Sequence, residues 1–221
     1  MDDVEPIKAS TLKQFYWCAI DAYIEHLKEV GDERVSVEAK QSKALEQGER
    51  LHDGSFGLRV HPMEEDSGKR ILEKMKNERV TAVNHRGYQI QGAPDEVVEN
   101  GDTVRIEDMK TTSWDDKQSY LQYQFPPAKF QVQIYSWMIS RVPNIEVENP
   151  IVQVKRREGG DAVDWFEKEA KFDKEEVEEK IDKVLDLFDE PEKLKEYRPS
   201  VDWKCRNDDH FEKYKQIVLD D

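Results

Sequence analysis

Residues 91–112 read QGAPDEVVENGDTVRIEDMKTT, and the rest of the sequence can be placed around this stretch. Asn100-Gly101-Asp102 lies near its centre and predicts a tight turn, because Asn and Gly tolerate the positive φ angles of a hairpin connection. Pro94-Asp95 stands on the first arm, and the segment after the turn has a strand-like pattern that ends in Asp108-Met109-Lys110. The stretch therefore predicts a β-hairpin.

The second arm of this hairpin has two different faces. Every second residue lies on the same face of a strand. One face of this arm is apolar at its first two positions and carries an acid and an amine at its last two. It contains Val104, Ile106, Asp108 and Lys110, whereas Arg105, Glu107 and Met109 fall on the other face. A buried charge is costly without a partner, and a divalent cation is a suitable partner for two carboxylates. We therefore expect Asp95 and Asp108 to share a cation.

The composition is that of a charged, acidic protein. Asp, Glu, Lys and Arg make up 38% of the 221 residues, and the net charge is −15. The length favours one domain with a real core. No apolar run reaches the length of a membrane span or of a signal-peptide core, so we expect a cytoplasmic protein without membrane contact.

The acidity argues against a general nucleic-acid binder, because phosphate contacts usually come from a basic domain. A metal and a local basic groove can still overcome a net field that salt screens within about 10 Å. An ordinary solvated surface is an equally good interpretation of each candidate basic residue taken alone. The candidates are Lys110, Lys117, Lys129, Arg141 and the run Lys155-Arg156-Arg157.

Helical periodicity is clear before the hairpin. Apolar residues repeat at three and four over residues 10–30, which predicts one helix with Ser10 as its N-cap. A second helix is predicted over residues 36–54, where Gly48 and His52 have the spacing Gly-x-x-x-His. Residues 68–79 predict another helix and residues 80–83 a short strand.

After the hairpin, residues 127–141 predict a helix in which Gln131 and Tyr135 stand four apart on one face. Residues 151–157 and 162–172 predict a second hairpin around Gly159-Gly160. Asp173 is the predicted N-cap of a long amphipathic helix that ends before Pro191. Its predicted buried stripe is Val177, Ile181, Val184, Leu185 and Phe188.

Three motifs in this order, Gly-x-x-x-His, Pro-Asp with Asp-x-Lys, and Gln-x-x-x-Tyr, resemble the PD-(D/E)XK nuclease superfamily and its RecB-like branch, which includes CRISPR-associated exonucleases. The resemblance implies an α/β fold with a restriction-endonuclease-like core, in which a central mixed sheet is flanked by helices. It implies a single nuclease domain over residues 1–221. N-terminal helices would span residues 1–55, the core sheet and helices 56–172, and a C-terminal helical segment 173–221.

The resemblance also implies a site. His52, Asp95, Asp108 and the backbone carbonyl of Met109 would bind Mg²⁺ or Mn²⁺, and Lys110 would position the attacking water or help to deprotonate it. Gln131 and Tyr135 would orient Lys110, the water or the substrate phosphate. Glu96 and Glu107 are spare acids, with Glu107 ranked lower because it falls on the opposite face of its strand.

The implied activity is metal-dependent hydrolysis of DNA, as an exonuclease on single strands or on DNA ends. Recombination, repair, viral replication and CRISPR spacer acquisition are the settings in which such enzymes work. A homo-oligomer and CRISPR or recombination proteins are the partners to consider. Two rival interpretations are a catalytically silent nucleic-acid-binding or assembly subunit with the same fold, and an acidic mimic of DNA.

Several aromatic residues could stack unpaired bases, although we expect more of them in the core. They are Tyr16, Trp17, Trp114, Tyr120 and Tyr123. Cys18 and Cys205 match two of the four cysteines that hold an iron–sulfur cluster in many RecB-like nucleases. The other two are missing, so we expect no cluster. Cys18 and Cys205 lie almost a chain length apart, so we also expect no disulfide framework. A mixed metal site of Cys18, Cys205 and His210 is the remaining alternative.

Overall fold

The computed structural model describes residues 5–35, 81–100, 103–158, 161–196 and 214–219. The predicted helices over 36–54 and 68–79 lie outside these ranges, and so does His52 with its Gly-x-x-x-His motif. Cys205 and His210 also lie outside them.

The described chain contains five α-helices and eight strands. The helices are α1 (Ala9–Gln14), α2 (Ala19–Glu29), α3 (Lys117–Tyr123), α4 (Phe125–Ile139) and α5 (Lys174–Asp189). The strands are β1 (Glu5–Lys8), β2 (Thr81–His85), β3 (Tyr88–Gly92), β4 (Glu96–Asn100), β5 (Thr103–Thr112), β6 (Glu146–Val147), β7 (Ile151–Glu158) and β8 (Asp161–Glu169). A 3₁₀ segment (Pro191–Glu196) follows α5, and a short π-helical segment spans Lys215–Leu219.

Within the described ranges the strands form two sheets. The first has the order β1-β3-β2, with β1 parallel and β2 antiparallel to β3. Arg86 and Gly87 make the tight turn between β2 and β3, and both have positive φ, at 52° and 85°. The second sheet has the order β4-β5-β7-β8, and β6 pairs in parallel with the start of β5. The predicted α/β class, with mixed sheets flanked by helices, is confirmed.

The hairpin predicted from residues 91–112 is present as β4 and β5. The two strands pair antiparallel from Glu96 opposite Glu107 to Asn100 opposite Thr103. Val104, Ile106 and Asp108 are buried, as the period of two predicted. In the parallel pairing of β5 with β7, Lys110 lies opposite Val154.

Helix α4 lies at the centre of the core. Its residues 130–139 are all buried, because its FQVQIYSWMI sequence is apolar on nearly every side. The helix contacts α1, α3, α5, β5 and β7. A helix that is covered on all sides can hold its polar side chains in fixed positions, and α4 carries Gln131 and Tyr135.

The prediction of one helix over residues 10–30 is wrong. Residues 5–8 form a strand that pairs in parallel with β3, and a turn at residues 15–17 separates α1 from α2. Helix α1 begins after Lys8, so Ser10 is not its N-cap. Cys18 caps α2 instead, where its Sγ accepts a hydrogen bond from the Asp21 backbone N–H at 3.5 Å.

The sequence predicted no disulfide framework, and the structure differs from this prediction at Cys18. Cys18 is disulfide-bonded. Cys18 is fully buried at the N-cap of α2. The bond makes Cys18 a structural residue in this structure.

Helix α5 forms as predicted. The Asp173 carboxylate caps it by accepting backbone N–H groups of Glu175 and Glu176, both at 3.1 Å. The helix ends at Asp189, just before Pro191. The five residues of the predicted stripe are its buried residues. No helix in the described part of the chain has the length and apolarity needed to cross a bilayer.

Asp173→Ala is expected to lower the free energy of unfolding by about 1 kcal/mol, because two backbone N–H groups of α5 lose their acceptor. Asp173→Asn keeps a side-chain oxygen at the cap and should lose much less. Urea denaturation followed by circular dichroism measures both variants. Equal losses in the two variants would contradict the assignment of the cap.

Candidate active site

Asp95 and Asp108 lie side by side at one end of the β4–β5 hairpin. Glu96 pairs with Glu107, and the next position of this antiparallel register places Asp95 opposite Asp108. The carboxylate of Asp95 accepts the Met109 backbone N–H at 2.6 Å, which ties the residue to β5. The structure thus brings together the two acids that were predicted to share a cation.

Asp108 and Lys110 project from the same face of β5. Asp108 is buried, with 3% of the residue surface exposed, and its Oδ2 forms an ion pair with the Nζ of the half-buried Lys110. Burial raises the pKa of the Asp108 carboxyl, and the nearby Asp95 charge adds to this, while Lys110 acts in the opposite direction. An additional cation at this carboxylate would therefore relieve a real electrostatic cost.

Gln131 and Tyr135 of α4 lie close to the segment that carries Asp95. Both are buried, and the Gln131 side-chain amide donates to the Tyr135 hydroxyl at 2.7 Å. The hydroxyl also accepts the backbone N–H of Ala93, two residues before Asp95. Burial raises the pKa of Tyr135, and the Asp108 charge raises it further, so the phenol keeps its proton at neutral pH.

Gly92 allows this close approach. A Cβ atom built at Gly92 would lie 2.3 Å from Cε1 and 2.9 Å from Cδ1 of Tyr135. The Tyr135 ring therefore occupies the space that any side chain at position 92 would need. Gly92 ends β3 directly before the segment that carries Asp95.

Lys13 of α1 is a site residue that the sequence analysis missed. Its Nζ donates to Oε1 of Gln131 at 2.9 Å, across 118 positions of sequence. Burial lowers the pKa of Lys13 to about 7, Lys110 lowers it as well, and Asp108 and Asp95 act in the opposite direction. Those electrostatic contacts place Lys13 beside the acids. Nothing in the sequence distinguishes it from the other lysines of the N-terminal segment.

The two spare acids lie away from this group. Glu107 forms an ion pair with Arg105 at 2.6 Å and accepts a hydrogen bond from Gln153 at 2.7 Å. Glu96 is exposed and is the register partner of Glu107, on the face opposite to Asp108. The lower ranking of Glu107 agrees with this geometry.

Arg141 does not belong to a basic groove at the site. Its guanidinium contacts His85 at 3.1 Å and Glu178 at 3.5 Å, and it lies 4.3 Å from the Trp137 ring centroid. These contacts connect the end of α4 to β2 and α5. Lys155 is paired with Asp164 at 3.3 Å.

Aromatic side chains line β8 beside the β5–β7 pair. Lys110 lies opposite Val154, which in turn lies opposite Phe166, so Phe166 shares the sheet face of Lys110. Lys117 lies 4.4 Å from the Phe166 ring centroid. The register shifts between Val154 and Lys155, which leaves Trp165 as the extra residue of a β-bulge.

The aromatic residues singled out in the sequence divide between core and surface. Tyr120 is buried and packs edge-on against Trp165 and Phe166, with ring centroids 5.9 and 5.6 Å away. Tyr16 packs on Phe130 at 4.9 Å. The half-buried pair of Trp114 and Tyr123 lies 6.2 Å apart, next to α3.

The donor set fits a hard divalent cation. Asp95 and Asp108 offer carboxylate oxygens in close proximity, and one of these carboxylates is buried at an electrostatic cost. Within the described ranges no group of three His, Cys, Asp or Glu side chains gathers as a complete cation site. The predicted third side-chain ligand, His52, lies outside those ranges, and its role stays a prediction together with that of the Met109 carbonyl.

One comparison with known proteins identifies the family of the chain. The sequence model of the PD-(D/E)XK nuclease superfamily matches residues 11–218, and the chain belongs to this superfamily. Among solved structures, the chain is similar to one titled "Crystal structure of SSO0001", with a TM-score of 0.49 and 17% identity. That similarity covers 97% of this chain and 85% of the other. A search of curated protein sequences gave no match.

Proposed function

We propose that the protein is a divalent-metal-dependent deoxyribonuclease of the RecB-like branch, which hydrolyses phosphodiester bonds of single-stranded DNA from its ends. The observation that carries the proposal is the gathering of Asp95, Asp108 and Lys110 with Gln131 and Tyr135 at one end of the β4–β5 hairpin. Structural ion pairs occur in any fold, but two carboxylates held together beside an amine suit metal-assisted hydrolysis.

In this proposal His52, Asp95, Asp108 and the Met109 carbonyl would hold Mg²⁺ or Mn²⁺. The bound ion would lower the pKa of a water molecule and act as a Lewis acid towards the phosphate. Lys110 would orient that water with its ammonium and neutralise charge that builds on the phosphate oxygens. The Tyr135 hydroxyl and the Gln131 amide would hold Lys110 and the phosphate in position.

The preference for single strands rests on the aromatic side chains of β8 and α3. Phe166 lies on the sheet face of Lys110. Trp165 is half-buried beside it, and the two ring centroids are 4.9 Å apart. Unpaired bases stack on such rings, and base stacking contributes about 1–3 kcal/mol per base. The cation of Lys117, held over Phe166, would lie close to the backbone of a strand that crosses these rings.

A cleavage assay tests the proposal. We expect linear, end-labelled single-stranded DNA to be degraded with Mg²⁺ or Mn²⁺ and to remain intact with EDTA. Asp108→Asn should remove this activity, since it deletes one of the two proposed carboxylate ligands. Circular single-stranded DNA is the matched substrate without ends, and it should be cut much more slowly if cleavage starts from ends.

Each negative result of the cleavage assay contradicts a different part of the proposal. Equal cutting of circular and linear DNA would contradict the exonuclease assignment and leave the nuclease assignment intact. Metal-independent cutting, or equal rates for wild type and Asp108→Asn, would contradict the metal-dependent mechanism. Tight DNA binding without cleavage by any divalent metal would instead favour the silent binding subunit.

A further inference from the structure

Lys13 is the second lysine at the site, and it belongs to none of the three sequence motifs. It is carried by α1, and its ammonium group donates to the Oε1 atom of Gln131 at 2.9 Å. An ammonium group has three N–H donors, and in the described part of the chain this is its one hydrogen bond. The residue as a whole is partly exposed. Two of its donors therefore have no partner among the described residues, and they are available to a ligand.

Lys13 also fixes the orientation of the Gln131 amide. A protonated lysine is a donor only, so the amide turns its oxygen towards Lys13 and its NH₂ group towards the Tyr135 hydroxyl. A continuous chain of hydrogen bonds thus runs from Lys13 through Gln131 and Tyr135 to the backbone of Ala93. This chain gives Lys13 a defined position.

The charges of the site favour an anion beside Lys13. When Lys13 is protonated, it and Lys110 together balance the two carboxylates Asp95 and Asp108. With a divalent cation held by the carboxylates, the ion and these four side chains would together carry two excess positive charges. A phosphodiester and an attacking hydroxide carry two negative charges together, and would restore neutrality.

We propose that Lys13 binds a phosphate of the DNA strand next to the scissile phosphodiester, through its charge and its two remaining N–H donors. The inference rests on the proposed nuclease function, and it assigns to α1 a direct part in substrate binding. A protein with a net charge of −15 repels DNA as a whole, so a local cation at the cleavage site contributes strongly to binding.

Three substitutions separate the charge of Lys13 from its hydrogen bond. Lys13→Met removes both, Lys13→Gln removes the charge but keeps a donor for Gln131, and Lys13→Arg keeps the charge. Lys180→Met is the matched control, because it removes one lysine charge from α5, where Lys180 pairs with Glu176. Circular dichroism melts check that each variant folds.

The measurement is fluorescence anisotropy of a labelled single-stranded oligonucleotide, without divalent metal, over a range of salt concentrations. We expect Lys13→Met and Lys13→Gln to bind about 5–20-fold more weakly than wild type, as expected for one lost charge-assisted contact. The slope of log Kd against log salt should fall by about 0.7, the value for one phosphate contact on a single strand. Lys13→Arg and Lys180→Met should bind like wild type.

Lys13→Gln gives the decisive result. Wild-type affinity and salt slope in Lys13→Gln would overturn the proposal, and would leave Lys13 as a residue that only positions Gln131. If Lys13→Met does not fold, Lys13→Gln carries the test alone. Cleavage by wild type under Mn²⁺ is measured in parallel, because failure there would contradict the nuclease function and not the role of Lys13.

Discussion

Lys110→Met is expected to lower the rate of metal-dependent DNA cleavage by about 10²–10⁴-fold, the range for loss of a group that assists proton transfer or charge neutralisation. Lys110 is the amine nearest to the buried Asp108, with which it forms an ion pair. Methionine has a similar length and no charge, so it removes the ammonium with little change in packing. Single-turnover cleavage of an end-labelled oligonucleotide measures the rate.

The matched control for this prediction is Lys180→Met on α5, which should cut at the wild-type rate. The variant should also keep a cooperative thermal transition, because Lys110 is half-buried and lies near the surface of the site. Equal rates for wild type and Lys110→Met would mean that the activity is a contaminant or that the site is misassigned.

Gly92→Ala is expected to lower the free energy of unfolding by about 1–3 kcal/mol, the usual cost of overpacking a core. The added Cβ would meet the Tyr135 ring at 2.3 Å, well inside van der Waals contact. Because Tyr135 accepts hydrogen bonds from Gln131 and Ala93, moving its ring disturbs the site as well as the packing. Urea denaturation and the cleavage assay measure the two effects.

A double-mutant cycle shows whether the cost arises at this contact. Tyr135→Leu removes the ring atoms that the new methyl group would meet, so the two substitutions together should cost less than the sum of the single costs. Gly31→Ala is the control: it has a φ of 74° but open space around its Cβ, and so introduces backbone strain without a clash. Additive costs in the cycle would contradict the steric explanation.

The local parts of the site could be predicted from the sequence. The period of two along residues 104–110 predicted that Asp108 and Lys110 share a face, and the spacing of four predicted that Gln131 and Tyr135 do. Each of these patterns lies within one element, where the geometry of a strand or helix fixes side-chain direction. Helix α5 with its Asp173 cap and the two hairpins were predicted on the same basis.

Features that depend on distant partners could not be predicted. Strand β1 exists because residues 5–8 pair with β3, more than 80 positions away, and this pairing separates the N-terminal segment into a strand and two helices. The apolar repeat over residues 10–30 fits one long helix and two short helices equally well. The sequence therefore did not indicate the turn between α1 and α2. The disulfide at Cys18 and the bulge at Trp165 likewise depend on contacts between segments.

By itself, the sequence determined the α/β class, the β4–β5 hairpin and the pairs of residues that share a face, because hydrophobic period and turn chemistry act over a few residues. The tertiary structure alone decided that α1 packs against α4 and carries Lys13 to Gln131. It also decided that Gly92 must leave room for Tyr135. These arrangements depend on which helices and strands pack together. The local sequence pattern allows many such pairings, and only the complete fold selects one of them.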